Sequence, residues 1–257
     1  MARLADALAA METDGDALRI DAPPAWSQGR TLYGGLTAAL CYRAAFRHCT
    51  SPLRAAQFLF VGPASGHLAL TSTLLRAGKS SCLVSAQCHA DESLAASAHF
   101  AFAGARDSGV DRVAERLDWV FPEPDACEAL IGPTGGFHDN FDLRLAAGSP
   151  LCSGGKSRFA AWVRYRDPPG TDSMTALLAL ADALPPAAMA SFPAPAPIST
   201  VTWNVEIAHE PAAMEGWFLL EAESEQTLGG QSMQAMRLWD EGGELVLAGR
   251  QLVAIFA

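Results

Sequence analysis

The chain has 257 residues, of which 50% are hydrophobic and 18% are charged, and its formal net charge is −10. This composition excludes a disordered chain, and the length allows one large domain or two of ordinary size. The acidic balance argues against nucleic acid as a partner, because contact with phosphates needs a basic surface, and no apolar run is long enough to span a membrane.

The predicted elements form two similar series along the chain. In the first half, Gly34 and Gly35 open a helix over 36–48, and the pattern then predicts strands over 53–61, 66–76, 81–90 and 93–103. In the second half, the pattern predicts a strand over 156–166, a helix over 172–184, and strands over 198–210, 216–226, 231–239 and 244–256. One helix followed by four strands therefore occurs twice.

The two series also repeat in sequence. Each copy contains a glycine turn, a strand, a hairpin that begins with Asp and a closing strand, and the two copies are about 150 residues apart. In this repeat Asp91 corresponds to Asp240, and Leu94 corresponds to Leu245. Glycine and proline turns fill the segment between the copies. We therefore predict an N-terminal domain over 1–104, a connector over 105–155 and a C-terminal domain over 156–257.

An apolar helix and an antiparallel meander indicate how each copy folds. The helix over 172–184 has no polar stripe, which is typical of a helix that is buried on nearly every side. The strands of each copy can wrap around such a helix, and the edge strands of the two copies can then pair. The predicted class is α+β, a double hotdog in which two helix-wrapped antiparallel sheets join into one continuous sheet.

Two polar residues interrupt these apolar elements. Asp182 lies in the predicted second helix, just before Pro185 and Pro186, so it either reaches solvent at the helix end or is a partly desolvated base. Gln251 interrupts the apolar last strand, and its counterpart in the first copy is Phe100. The first helix has no acidic residue, so we expect one active site per chain.

At this point the sequence resembles the acyl-CoA thioesterase II family, whose members are tandem hotdogs. The resemblance is carried by the ordered segments WSQG at 26–29, YGG at 33–35, LRAGKS at 75–80, LADA at 180–183, STVT at 199–202, RLWD at 237–240 and RQL at 250–252. It implies a water-binding catalytic cluster of Asp182, Thr200 and Gln251, with Thr202 as the alternative threonine. It also implies acyl-CoA as the substrate.

Two further segments fit that chemistry. The N–H groups of Gly34 and Gly35 at a helix start could stabilise the oxyanion, although close helix packing explains the same glycines. The hairpin with Arg76, Lys79 and Ser80 could bind the CoA phosphates, with Arg30 as a second cation, or it could be an ordinary solvated turn.

The remaining expectations are of a different kind. The six cysteines show no CxxC spacing, so we expect free thiols in a reducing cytoplasm, and the six histidines show no metal-binding spacing, so we expect neither a metal nor a cofactor. The alternative function is a non-catalytic acyl-binding hotdog module. The acyl group, and assembly into homo-oligomers, stay open.

Overall fold

The computed structural model describes residues 3–115, 121–132 and 134–256. The helices in these ranges are α1 (Leu4–Ala9), α2 (Gly34–Phe46) and α3 (Ser173–Ala181). The strands are β1 (Glu12–Asp14), β2 (Ala17–Asp21), β3 (Ser27–Gln28), β4 (Thr31–Leu32), β5 (Leu53–Phe60), β6 (His67–Ala77), β7 (Ser81–Ala90), β8 (Ser93–Ala103), β9 (Glu128–Ala129), β10 (Phe141–Gly148), β11 (Arg158–Tyr165), β12 (Ile198–Ile207), β13 (Phe218–Leu228), β14 (Gln231–Trp239) and β15 (Leu245–Ile255).

One antiparallel sheet of thirteen strands runs through both halves. Its order is β1-β2-β6-β7-β8-β5-β12-β15-β14-β13-β11-β10-β9, so the second half repeats the first in reverse around the central pair β5–β12. In that pair Trp203 lies opposite Phe58, and the two rings stack 5.3 Å apart. Pairing of these edge strands joins the two hotdogs into one continuous sheet, which confirms the predicted fold class.

Helices α2 and α3 fill the interior of the two half-sheets and contact each other. Every residue from Met174 to Ala181 is buried, which explains why this helix has no polar stripe. Arg43 near the end of α2 pairs with Asp172 at the start of α3, 3.1 Å apart, so the two helices run in opposite directions. Among the described residues no helix combines the length and the apolar character that crossing a membrane requires.

The predicted helices and strands agree with the structure to within a few residues, but the predicted connector over 105–155 holds more structure than its composition indicated. Strand β10 lies in this segment and pairs with β11, and β9 pairs with β10 at the edge of the sheet. The alternating side chains Phe141, Leu143 and Leu145 point inward from β10. The C-terminal half of the sheet therefore begins before residue 156, the predicted start of the second domain.

Candidate active site

Asp182 lies where α3 ends. It is the C-cap residue of the helix, and the chain then passes through Pro185 and Pro186 into a short 3₁₀ helix at Ala187–Ser191. Proline cannot continue an α-helix, so the chain must turn here. Asp182 is half-buried between Ala181 and Ala183, neither of which is accessible to solvent. The helix end thus holds a carboxylate inside the apolar core rather than releasing it to the surface.

The carboxyl of Asp182 meets the N-terminus of α2. A Cβ atom added to Gly34 would lie 2.6 Å from Asp182 Oδ2, and the backbone N–H of Gly35 donates to the same carboxyl. A Cβ on Gly35 would lie 2.6 Å from the carbonyl oxygen of Ala179 in α3. The glycine pair therefore allows close packing of α2 against α3 and brings the N-terminus of α2 to the Asp182 carboxyl.

Tyr33 fixes the start of α2 next to this contact. Its ring is fully buried and stacks on Phe137 with ring centroids 4.1 Å apart, and its hydroxyl donates to the carbonyl oxygen of Ala179 at 2.8 Å. Burial, together with the nearby Asp182 carboxylate, raises the pKa of Tyr33 well above its usual value. The phenol therefore stays a hydrogen-bond donor and ties the end of one helix to the start of the other.

Gln251 and a second glutamine complete the polar cluster. Gln251 Nε2 donates to Asp182 Oδ1 at 2.8 Å, and its Oε1 accepts from Nε2 of Gln234 on β14, also at 2.8 Å. Gln234 Oε1 in turn accepts from the backbone N–H of Ala187. Gln234 is buried, and the sequence analysis did not identify it. Asp182 and Gln251 are brought together as predicted.

Burial changes the proton affinity of the cluster. Removal from water raises the pKa of Asp182 to about 7, against the opposing hydrogen bonds from Gln251 and from the Gly35 N–H, which favour the ionised form. At neutral pH the carboxyl is therefore divided between its two protonation states. A carboxylate of this kind can accept a proton from water far more readily than an exposed aspartate can.

A β-bulge in β12 places Thr200 and Thr202 on different faces of the sheet. Thr200 pairs with the buried Val253, whereas Thr202 pairs with Leu252 and with the exposed Leu59 on the outer face of the sheet. Residues two apart in a regular strand lie on the same face of the sheet. The bulge between Thr200 and Thr202 adds one residue to β12, so these two threonines lie on opposite faces. Thr200 lies on the inner face with Gln251, and Thr202 lies on the outer face.

The first half has an apolar surface at the corresponding place. There Phe100 pairs with Val84, where the second half pairs Gln251 with Gln234, and both apolar side chains are buried. At the end of α2, Arg43 pairs with Asp172 on the surface instead of placing a carboxylate in the core. At this pair of positions the second half of the sheet places two glutamines on its inner face, whereas the first half places a valine and a phenylalanine there.

The predicted CoA hairpin lies away from Asp182. Lys79 and Ser80 are in the turn between β6 and β7, Arg76 is at the end of β6, and the side chains of Arg76 and Lys79 are exposed. On β6, Ser72 contacts His48 at 2.9 Å, just beyond the C-terminal end of α2. Asp182 contacts the other end of this helix, about 20 Å away at 1.5 Å per residue. The structure does not bring the hairpin to the cluster.

One group of possible metal ligands lies where the turn between β14 and β15 meets the segment that follows β12. Among the described residues, His209, Asp240 and Glu244 have ligand atoms within 4.8 Å of one another. His209 Nε2 is 3.4 Å from Asp240 Oδ2, and its Nδ1 is 2.9 Å from the carbonyl oxygen of Leu245, so both ring nitrogens already have protein partners. This turn precedes β15, and Glu244 lies seven residues before Gln251.

Comparison with known proteins gives a consistent family. The family model of the acyl-CoA thioesterase N-terminal domain matches residues 22–103, and that of the acyl-CoA thioesterase C-terminal domain matches residues 113–255. A comparison with curated proteins gave no match.

Solved structures share the whole fold. A protein of unknown function with a hot dog fold from Alicyclobacillus acidocaldarius has a TM-score of 0.88 at 23% identity, covering 100% of this chain and 99% of the other. A TesB protein from Mycobacterium avium subspecies paratuberculosis has a TM-score of 0.81 at 16% identity, covering 100% of both chains. An acyl-CoA thioesterase II from Mycobacterium marinum has a TM-score of 0.77 at 18% identity, covering 95% of both.

Proposed function

The chain is a thioester hydrolase that belongs to the acyl-CoA thioesterase family, and we propose that it cleaves acyl-CoA with a water molecule held by Asp182, Thr200 and Gln251. The observation that carries the proposal is the Asp182 carboxyl, which lies in an apolar core at the N-terminus of α2 with Gln251 bound to it at 2.8 Å. A buried carboxylate is costly unless it is paired, so its place in this core needs a functional reason.

Asp182 is the base in this proposal. With its pKa raised to about 7, the carboxylate accepts a proton from the attacking water near neutral pH. The water oxygen adds to the carbonyl carbon of the thioester, and the carbonyl becomes a tetrahedral oxyanion. When that intermediate collapses, the C–S bond breaks, and the proton held by Asp182 passes to the departing CoA thiolate. The products are a free acid and CoA.

Thr200 and Gln251 orient the water. The Thr200 hydroxyl can accept one hydrogen bond and donate another, and its inner-face position two residues along the paired strand from Gln251 supports this role over Thr202. Gln251 has a second N–H on Nε2 beyond the one bound to Asp182. That N–H can donate to the water or to the substrate oxygen.

The N-terminus of α2 stabilises the developing negative charge. Of the two predicted oxyanion donors, Gly35 directs its N–H to the Asp182 carboxyl, so we assign the thioester oxygen to the N–H of Gly34. The partial positive charge of a helix N-terminus adds to this hydrogen bond. The absence of a Cβ at Gly34 makes room for the Asp182 carboxyl beside this end of the helix.

The CoA phosphates need a cation, and Arg30 is a candidate that lies nearer to this site than the β6–β7 hairpin does. Arg30 lies exposed on the turn between β3 and β4, four residues before Gly34, so the chain itself keeps it within about 14 Å of that residue. Arg76, Lys79 and Ser80 remain the second candidate site, which the nucleotide would reach only by extending along the whole length of α2.

Free-thiol release from a panel of acyl-CoA substrates tests the proposed function. Asp182→Asn should lower turnover by about two orders of magnitude or more, because the amide cannot accept the proton. Asp107→Asn, on an exposed loop, is the matched control and should retain wild-type turnover. Wild-type turnover in the Asp182 variant would refute the mechanism, and no hydrolysis of any member of the panel would favour the acyl-binding module.

A further inference from the structure

We propose that Gln234 is a positioning residue for this reaction, because it fixes the side-chain amide of Gln251 with an N–H, rather than the carbonyl oxygen, facing Asp182. The inference rests on the proposed function of Asp182 as the base. Gln234 does not touch the carboxyl itself. It acts through Gln251, to which it is bound at 2.8 Å.

The orientation follows from a backbone group that can only donate. The N–H of Ala187 binds Oε1 of Gln234, so that oxygen is the accepting end of the amide, and Nε2 is left to donate. Gln234 Nε2 then binds Oε1 of Gln251, which makes this oxygen an acceptor too. The only end of Gln251 left for Asp182 is Nε2, and it donates to Oδ1 at 2.8 Å.

We call the hydrogen-bond chain from the Ala187 N–H through Gln234 to Gln251 the glutamine relay. Without this relay the Gln251 amide has two orientations. A terminal amide can turn over by rotation of its last torsion angle, and its two ends have almost the same size. The turned amide would present a carbonyl oxygen to the Asp182 carboxylate, which repels the negative charge, and would remove the hydrogen bond from Gln251 to Asp182. Gln234 removes this alternative because its own donor already occupies the oxygen of Gln251.

All three residues of this hydrogen-bond chain are buried. Ala187 is fully buried in the 3₁₀ helix that follows Asp182, and Gln234 and Gln251 are buried on neighbouring strands β14 and β15. The relay therefore links both strands to the segment that leaves the catalytic aspartate. The first half, where Val84 and Phe100 occupy the matching pair of positions, has an apolar contact in its place.

Two variants of Gln234 test the inference. Gln234→Met keeps the volume and removes both hydrogen bonds, and Gln234→Glu keeps the acceptor for Ala187 but, when ionised, cannot donate to Gln251. Each should lower kcat by about tenfold to a hundredfold, and each should move the acidic limb of the pH–rate profile upward by about half a pH unit or more. Gln87→Met, exposed on β7, is the control and should change neither quantity.

A double variant and a direct titration separate positioning from a general loss of structure. In a Gln251→Met background, Gln234→Met should cause less than about a twofold further loss, because its effect passes through Gln251. A pH titration followed by carbon-13 NMR of the Asp182 carboxyl should show that the pKa of this group is raised in both single variants of Gln234. Unchanged kcat, or an unchanged titration together with additive losses, would overturn the inference. If Asp182→Asn kept full turnover, the proposed function would fail instead, whatever the titration showed.

Discussion

Replacing Asp182 by asparagine should remove a loss of stability that the wild-type protein undergoes as the pH rises. The folded state raises the pKa of this carboxyl from 3.8 to about 7, so the folded protein holds the proton more tightly than the unfolded chain does. Stability from this group is complete below the unfolded pKa and is lost as the pH rises through the folded pKa. A rise of this size in the pKa corresponds to a loss on the order of 4 kcal/mol in the free energy of unfolding.

The measurement compares the free energy of unfolding in urea at about pH 5.5 and about pH 8.5, a range that avoids the isoelectric point near 5.0. In this range the Asp182 carboxyl should cost the wild-type protein about 2 kcal/mol, and Asp182→Asn should lack that loss. All other titrating groups are common to both proteins, so they cancel in the difference. Asp107→Asn is again the control. If the wild-type protein and the Asp182 variant depend on pH in parallel, the carboxyl is not desolvated as described.

Three further predictions concern the activity. The rate of hydrolysis should rise with pH through a midpoint near 7 as Asp182 loses its proton, and a pH–rate profile with a midpoint near 4 would contradict the raised pKa. Gly34→Ala should lower kcat by about tenfold or more, since its Cβ would lie 2.6 Å from the carboxyl, whereas Gly104→Ala, which meets nothing within 4 Å, should be neutral in the same assay. Arg30→Ala should raise KM for acyl-CoA several-fold but not KM for a short thioester without the nucleotide, and a larger effect of Lys79→Ala would return the phosphate site to the β6–β7 hairpin.

The fold and the main polar residues could be predicted from sequence because the duplication leaves two copies to compare. Asp182 is conspicuous in a helix that has no polar stripe, and Gln251 is conspicuous because Phe100 occupies its place in the first copy. Both residues lie in the same cluster in the structure. Their roles in catalysis stay proposals that the variants above test.

Gln234 is also a polar residue on the inner face of a strand, but the alternation of polar and apolar residues along β14 does not reveal it. In β14 the inner face reads Ser232, Gln234, Met236 and Leu238, so half of it is polar, and the outer face carries apolar residues too. The comparison that revealed Gln251 would also have revealed Gln234, because Val84 occupies the corresponding place opposite Phe100. A polar pair in one copy and an apolar pair in the other is a stronger signal than either residue alone.

Other features depend on contacts between distant segments. No local pattern predicts the β-bulge that separates Thr200 from Thr202, since it arises where β12 pairs with β15. The distance of the Lys79 hairpin from the cluster depends on which end of α2 each segment packs against. Strand β10 did alternate, at 141–145, but glycine and proline turns on both sides outweighed that pattern.

Isotope tracing in a single turnover tests most directly whether Asp182 activates water or attacks the thioester itself. The enzyme, in excess over an acyl-CoA substrate, would be allowed to react once in water enriched in oxygen-18. The proposed mechanism predicts one heavy oxygen in the free acid and none in the peptide that contains Asp182, both read by mass spectrometry. An unlabelled acid together with a labelled Asp182 would show that the carboxylate is the nucleophile, which would contradict the account.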